Sequence, residues 1–147
     1  MNLRPILLVE DSADDAFLMQ RAFEEAGVTN EVPIATDGEE AISFLSKPEM
    51  SDETRQPCLV LLDLRMPYRS GFDVLKFARS RPEIATLAIV VLTSSNEPSD
   101  IAKALELGAN AYVVKPPVFA DLVKSVEAIR DFWLRQHKSC AHIGGRV

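Results

Sequence analysis

The sequence predicts an α/β protein, one domain in which five parallel strands form a doubly wound sheet flanked by five helices. Three observations carry that expectation. Short, wholly apolar runs recur along the chain, and such runs read as strands buried on both faces. Segments with helical periodicity separate them. The strand-then-helix order repeats five times, which implies right-handed crossovers and helices on both faces of a mostly parallel sheet.

Taken in order, Ile6-Leu7-Leu8-Val9 is the first strand and ends at Glu10-Asp11. Ala16, Met19, Ala22, Phe23 and Ala26 then share one helical face, and Gly27 follows where a left-handed cap is expected. Ser12 with Asp15 three residues on forms a capping-box pattern for this helix. Asp14 and Asp15 read as caps or dipole partners there. Glu31 to Ala35 is a weaker edge strand, and Asp37 with Glu40 opens a second helix through Leu45. Lys47 to Pro57, with two prolines and five charged residues, reads as a solvated loop. Cys58 to Leu62 is the third strand, followed by a helix from Phe72 to Arg79. Ala88 to Leu92 before Thr93 is the fourth strand, with a helix from Ser99 to Leu107 before Gly108. Ala111 to Val114 before Lys115 is the fifth strand. The last helix runs from Phe119 to about Gln136, with Leu122, Val126, Ile129 and Trp133 on one face.

Composition narrows the function classes. The chain has 147 residues, 47% of them hydrophobic and 26% charged, which suits one folded domain with a real core. Its net charge of −6 repels phosphate backbones, so nucleic acid is not an expected partner. No apolar run approaches the roughly 20 residues that span a bilayer, and the first residues read as a strand rather than a signal peptide. A cytoplasmic protein is expected. Cys58 and Cys140 lack any CxxC spacing and are read as free thiols, and a soft-metal site of Cys140 with His137 and His142 is set aside.

Ligands of open parallel sheets bind beyond the carboxyl ends of the strands. Here those ends carry Glu10 and Asp11 after strand one, Asp63 after strand three, Thr93 after strand four and Lys115 after strand five. Neighbouring strands lie about 4.8 Å apart, so three carboxylates would crowd into one pocket and need a compensating cation. An all-oxygen cluster suits Mg²⁺. Lys115 would be an unusual buried lysine unless the acids are its partners. A phosphoryl group on Asp63 would lie between metal and ammonium, with the Thr93 hydroxyl in range.

Ile6-Leu7-Leu8-Val9-Glu10-Asp11, Leu61-Leu62-Asp63-Leu64-Arg65-Met66-Pro67, Val91-Leu92-Thr93-Ser94 and Tyr112-Val113-Val114-Lys115-Pro116 together resemble the CheY-like receiver family, from about Pro5 to Phe132. The resemblance implies a flavodoxin-like strand order 2-1-3-4-5. It implies Asp63 as the phosphoacceptor that takes a phosphoryl group from a histidine kinase, in a Mg²⁺-dependent reaction that the receiver itself catalyses. Glu10 and Asp11 match the metal-binding acidic pair, and Arg65 the position whose backbone carbonyl ligates the ion. Thr93 matches the switch hydroxyl, Lys115 the phosphoryl-pairing lysine and Tyr112 the switch aromatic. Lys115-Pro116 matches the family's cis peptide. Residues 1–137 would be the receiver and 138–147 a polar, disordered tail with no output domain.

Two positions depart from the family pattern. Glu10 replaces the commoner Asp and could reach a metal through water. Arg65 puts a bulky cation two residues after the acceptor, where it is expected to overhang the water approach and lengthen the phosphoryl lifetime. A haloacid-dehalogenase-type phosphatase would need an acid where Arg65 stands, and a nucleotide-binding module would need a glycine-rich turn where Glu10-Asp11-Ser12 stands. A receiver serving another kinase or a phosphorelay intermediate is the nearer alternative. The Glu10-Asp11-Ser12 start, the loop from Lys47 to Pro57 and the ending Phe132-Trp133-Leu134 resemble single-domain regulators encoded with phytochromes. That narrower resemblance implies a phytochrome-type histidine kinase as partner. It also implies a homodimer through helix four, strand five and helix five, with Phe119, Phe132 and Trp133 as candidate contacts.

Overall fold

The computed structural model describes residues 3–135 and 140. Five strands, β1 (Ile6–Val9), β2 (Ile34–Ala35), β3 (Leu59–Leu62), β4 (Ile89–Thr93) and β5 (Ala111–Val114), form one parallel sheet in the order β2-β1-β3-β4-β5. Helices α1 (Ala13–Glu25), α2 (Gly38–Leu45), α3 (Gly71–Ser80), α4 (Pro98–Glu106) and α5 (Phe119–Ile129) connect and cover it. This is the flavodoxin-like architecture expected from the sequence.

The two-residue period of a strand explains the layers. Leu7 and Val9 of β1 face one side with Val60, Leu62, Ile89 and Val91, where α2, α3 and α4 contribute Ala41, Leu45, Leu75 and Ala104. Ile6 and Leu8 face the other side with Leu59, Leu61, Val90 and Leu92, against Met19 and Phe23 of α1 and Leu122 and Val126 of α5. Both faces of the central strands are buried, which is why their sequences show no polar alternation. Register then aligns the strand ends: Val9 lies beside Leu62, Leu62 beside Val91 and Val91 beside Tyr112.

Local signals set the helix boundaries. Ser12 caps α1 by accepting from the Asp15 N–H, and Asp37 caps α2 by accepting from the Glu40 N–H. Gly27 and Gly108 end α1 and α4 at φ +75° and +107°. In each, the next N–H closes a Schellman bond, Val28 to the Phe23 carbonyl and Ala109 to the Ala104 carbonyl.

Several expectations are corrected. The edge strand β2 keeps only two residues of the span 31–35, because Pro33 has no N–H to give a ladder and Asn30 turns inward to the Arg4 and Cys140 carbonyls. The loop after α2 is not wholly solvated: Pro48–Ser51 forms a 3-10 turn, Met50 is buried, and the buried Gln56 amide donates to the Met50 and Glu83 carbonyls. Helix five leaves α geometry at Ile129 and continues as a π-helical turn, Arg130–Leu134, while Gln136 and His137 lie outside the described residues. Cys58 and Cys140 are not free thiols but a disulfide with Cα atoms 5.5 Å apart, joined across 82 positions of sequence. That separation carries no local signal; the partners meet because Cys140 lies against the start of β3. Cys140 is accordingly buried rather than part of a disordered tail, and the rest of that tail, with His142, lies outside the described residues.

Arg79 staples the side of the sheet formed by α3 and α4. Its guanidinium donates to the Ala85, Leu87 and Gly108 carbonyls and the Asn110 side-chain oxygen at 2.7–3.0 Å. Asn110 in turn accepts from the Ile89 N–H, so one cation sets where β4 begins. Arg79→Ala should lower stability by about 2–4 kcal/mol in urea denaturation, since it removes donors from several partly buried carbonyls at once. Arg79→Lys should recover only a minor part, because a point ammonium cannot fork to four acceptors. An unchanged urea midpoint for Arg79→Ala would remove this role.

Candidate functional site

The aligned strand ends bring the predicted residues together. Asp63 follows β3 with its N–H on the Val9 carbonyl, and Lys115 follows β5 with its N–H on the Thr93 carbonyl. Glu10, one residue past β1, donates its N–H to the Ala35 carbonyl. Backbone pairing therefore places all three side chains at one level of the sheet.

Asp63 is buried, and both its oxygens are engaged. Oδ1 accepts from the Thr93 hydroxyl at 2.7 Å and the Arg65 N–H at 3.3 Å, while Oδ2 lies 3.4 Å from Lys115 Nζ. Lys115 also donates to Glu10 Oε1 and, at 3.1 Å, to Asp15 Oδ2. Burial works against the Lys115 charge, but the Glu10 hydrogen bond and the charges of Asp63 and Glu10 outweigh it and raise its pKa. Glu10 is the deepest of the acids at 2% exposure. Burial, only partly offset by Lys115, pushes its carboxyl up to about 7. Glu10 Oε2 accepts from the Ser12 N–H at 3.1 Å.

Carboxylate oxygens of Glu10, Asp11 and Asp63 lie within 4.8 Å of one another. Three hard oxygen donors in that space suit a small divalent cation better than a thiophilic one. Asp11 is exposed and is not engaged by Lys115, whereas Glu10 spends both oxygens inside the protein.

Two residues behave differently from the sequence reading. Asp15 is more than a first-turn acid of α1, because it is the third carboxylate on Lys115. A position one helical turn into α1 faces back over the strand end, a relation that sequence spacing alone does not express. The Arg65 side chain has a partner of its own. Its guanidinium reaches Asp100 Oδ2 in the first turn of α4 at 2.5 Å, and the Ser95 hydroxyl donates to the same oxygen at 2.6 Å. Asp100 carries no sequence signal beyond that of an acid in the first turn of α4. The Ser95 hydroxyl, and after it the Arg65 guanidinium, holds the Asp100 carboxyl below the usual carboxylate range. Tyr112 donates its hydroxyl to the Ser95 carbonyl at 2.8 Å and packs its ring partly against the core. The Lys115–Pro116 bond is trans, since the described residues contain no cis peptide; proline permits the cis form without requiring it.

Residues 6–127 match the response regulator receiver domain family, and the chain belongs to it. It is 37% identical over 134 residues to the probable methanogenesis regulatory protein FilR2 of Methanothrix harundinacea, covering 91% of this chain and 86% of that one. It is 36% identical over 129 residues to the response regulator Rcp1 of Synechocystis, covering 88% of each, and a crystal structure of Rcp1 in its Mn²⁺-bound form superposes with a TM-score of 0.79, 35% identity and coverage of 91% and 96%. The phosphorylated cyanobacterial phytochrome response regulator RcpA superposes with a TM-score of 0.81 at 34% identity, covering 92% of this chain and 96% of RcpA. The chain is thus a response-regulator receiver with phytochrome-linked homologues. Among its described residues no helix is long and apolar enough to cross a membrane.

The raised Glu10 pKa has a consequence for stability. Between its ordinary 4.5 and about 7 the native state holds a proton that the unfolded chain has released, so this contribution is lost as pH rises through that window. Without divalent ions, wild type should lose on the order of 2 kcal/mol relative to Glu10→Gln between about pH 5 and pH 7.5, read from urea midpoints. A pH-independent difference between the two proteins would place the titration elsewhere.

Proposed function

We propose that this receiver accepts a phosphoryl group on Asp63 from a phosphohistidine of a sensor kinase, in a Mg²⁺-dependent reaction that its own residues catalyse. One observation carries the reading: the buried Asp63 carboxylate lies within 3.4 Å of both the Thr93 hydroxyl and the Lys115 ammonium, beside two further acids.

In the reaction an Asp63 oxygen attacks phosphorus, an O–P bond forms as the N–P bond breaks, and the bonding pair stays on the imidazole, which takes up a proton. Asp11, Asp63 and the Arg65 carbonyl would hold Mg²⁺, with Glu10 reaching it through water, and the bound ion would neutralise charge on the phosphoryl oxygens. Lys115 is poised to pair with one phosphoryl oxygen, because its ammonium is already held against Asp63. The Thr93 hydroxyl can turn its proton from Asp63 to a phosphoryl oxygen without moving its backbone. Tyr112 and the Ser95 carbonyl it holds would carry the change to the surface. Phosphatase turnover of the haloacid-dehalogenase type has no support, since Arg65 occupies the place of the second acid and turns to Asp100.

A phytochrome-type kinase is the partner most consistent with the similarity to the phytochrome response regulator RcpA and to the bacteriophytochrome response regulators RtBRR and AtBRR. A different histidine kinase is the second reading, favoured by the comparable similarity to the probable methanogenesis regulatory protein FilR2. Phosphotransfer profiling against the host's purified kinases decides between them. Self-association is the remaining element. Leu105 of α4, Val114 of β5, and Val118 and Phe119 at the start of α5 are exposed apolar residues on consecutive elements, and a second copy of the chain would cover them. Phe132 and Trp133 stack edge to face beyond them, Trp133 half-buried against the core.

Asp63→Asn should fold normally yet gain no phosphoryl group from acetyl phosphate and Mg²⁺, checked by intact mass. A singly phosphorylated mutant would contradict the assignment. Sedimentation should show a dimer at micromolar concentration and a monomer for Val118→Asp with Phe119→Glu. A monomeric wild type, with or without phosphorylation, would end the dimer proposal.

A further inference from the structure

A closed ring of contacts runs around the Oδ1 side of Asp63, and phosphoryl acceptance makes no use of its far half. Asp63 Oδ1 accepts from the Arg65 N–H and the Thr93 hydroxyl. The Arg65 guanidinium then crosses to Asp100 Oδ2, which also accepts from the Ser95 hydroxyl, two residues beyond Thr93. The ring thereby bridges the β3–α3 loop to the β4–α4 loop. Ser95 is its keystone: its Oγ also accepts from the Glu97 N–H at 3.3 Å, and its carbonyl holds the Tyr112 hydroxyl.

The two ends of the Arg65–Asp100 pair are unequal. Asp100 sits in the first turn of α4 with a side chain only 12% exposed, whereas the Arg65 side chain is 66% exposed on a loop. The anion is anchored and the cation is long and solvated. A pair with one solvated partner is weak and readily exchanged. A phosphoryl group carries about −1.5 to −2 charge and three acceptor oxygens, which a guanidinium meets with a two-point fork. Asp100 offers a single negative charge, and its Oδ2 is shared with Ser95. Once a phosphoryl group is on Asp63, two residues before Arg65 in the chain, it is the stronger attractor.

Building on the phosphoacceptor reading, we infer that Asp100 is a positioning residue: it holds Arg65 off the acceptor in the unphosphorylated protein, and a phosphoryl group on Asp63 takes the guanidinium from it. The exchange opens the ring and releases the β4–α4 loop, with the Tyr112 hydroxyl that the loop anchors. Arg65 then guards the phosphoryl group, so the same side chain serves first as a latch on the loop and afterwards as a shield.

Hydrogen exchange of the amides of residues 94–97 tests this in full-length wild type, Asp100→Asn, Arg65→Ala and the double variant. Asp100→Asn preserves the acceptor for Ser95 and removes the charge that holds Arg65. Unphosphorylated Asp100→Asn and Arg65→Ala should exchange roughly twofold to fivefold faster than wild type. Acetyl phosphate with Mg²⁺ should bring wild type to the same rates and add little in the variants. Phosphoryl decay should be faster in Arg65→Ala than in wild type, no faster in Asp100→Asn, and equal in Arg65→Ala and the double variant. Wild-type exchange in both unphosphorylated variants, or an equal increment on phosphorylation in all four proteins, would overturn the inference. Intact mass separates the two failures. If no protein gains a phosphoryl group the phosphoacceptor reading falls, and with it the exchange of Arg65 between anions, whereas the unphosphorylated rates by themselves judge the latch.

Discussion

The site depends on one buried ammonium. Lys115 meets Glu10 just past β1, Asp15 of α1 and Asp63 just past β3, while its own backbone is tied to the end of β4. Without it three carboxylates would face one another in a poorly solvated space, and repulsion and desolvation would force protons onto them. With it, Asp63 keeps a cation beside one oxygen and a hydroxyl beside the other. Among the described residues no buried side-chain polar atom lacks a hydrogen-bond partner, so the hydrogen-bonding capacity of this cluster is met.

That arrangement is possible because a parallel sheet points all its strand ends the same way. The in-register ends of β1, β3, β4 and β5 carry the acids, the hydroxyl and the lysine, and the doubly buried strands hold them in place. The loops that follow are free to differ. On one side Lys115 gathers acids; on the other, Arg65, Asp100 and Ser95 join two loops through partly solvated contacts. A half held by the buried lysine and a half held by partly solvated contacts share a single carboxylate.

Elsewhere the molecule is fastened. Arg79 gathers the carbonyls around the start of β4, and the Cys58–Cys140 disulfide with the Asn30 amide joins the C-terminal segment to the starts of β1 and β3. These ties involve strand starts, whereas the site lies at strand ends. The multiply bonded ties thus lie at one end of the sheet and the partly solvated contacts at the other.

The sequence by itself determined the order of elements, the doubly wound sheet and the residues Glu10, Asp11, Asp63, Thr93 and Lys115. Apolar runs that end on polar residues are local patterns, and a parallel sheet converts them directly into a shared site. Only the tertiary structure decided which acids Lys115 chooses, that Arg65 turns to Asp100, and that Cys58 meets Cys140. Those pairings join residues 35 to 105 positions apart. No periodicity or capping pattern encodes them, because each partner satisfies its local rule equally well alone. Asp15 and Asp100 are both acceptable first-turn acids, and only the packing of α1 and α4 against the sheet gives each a cation.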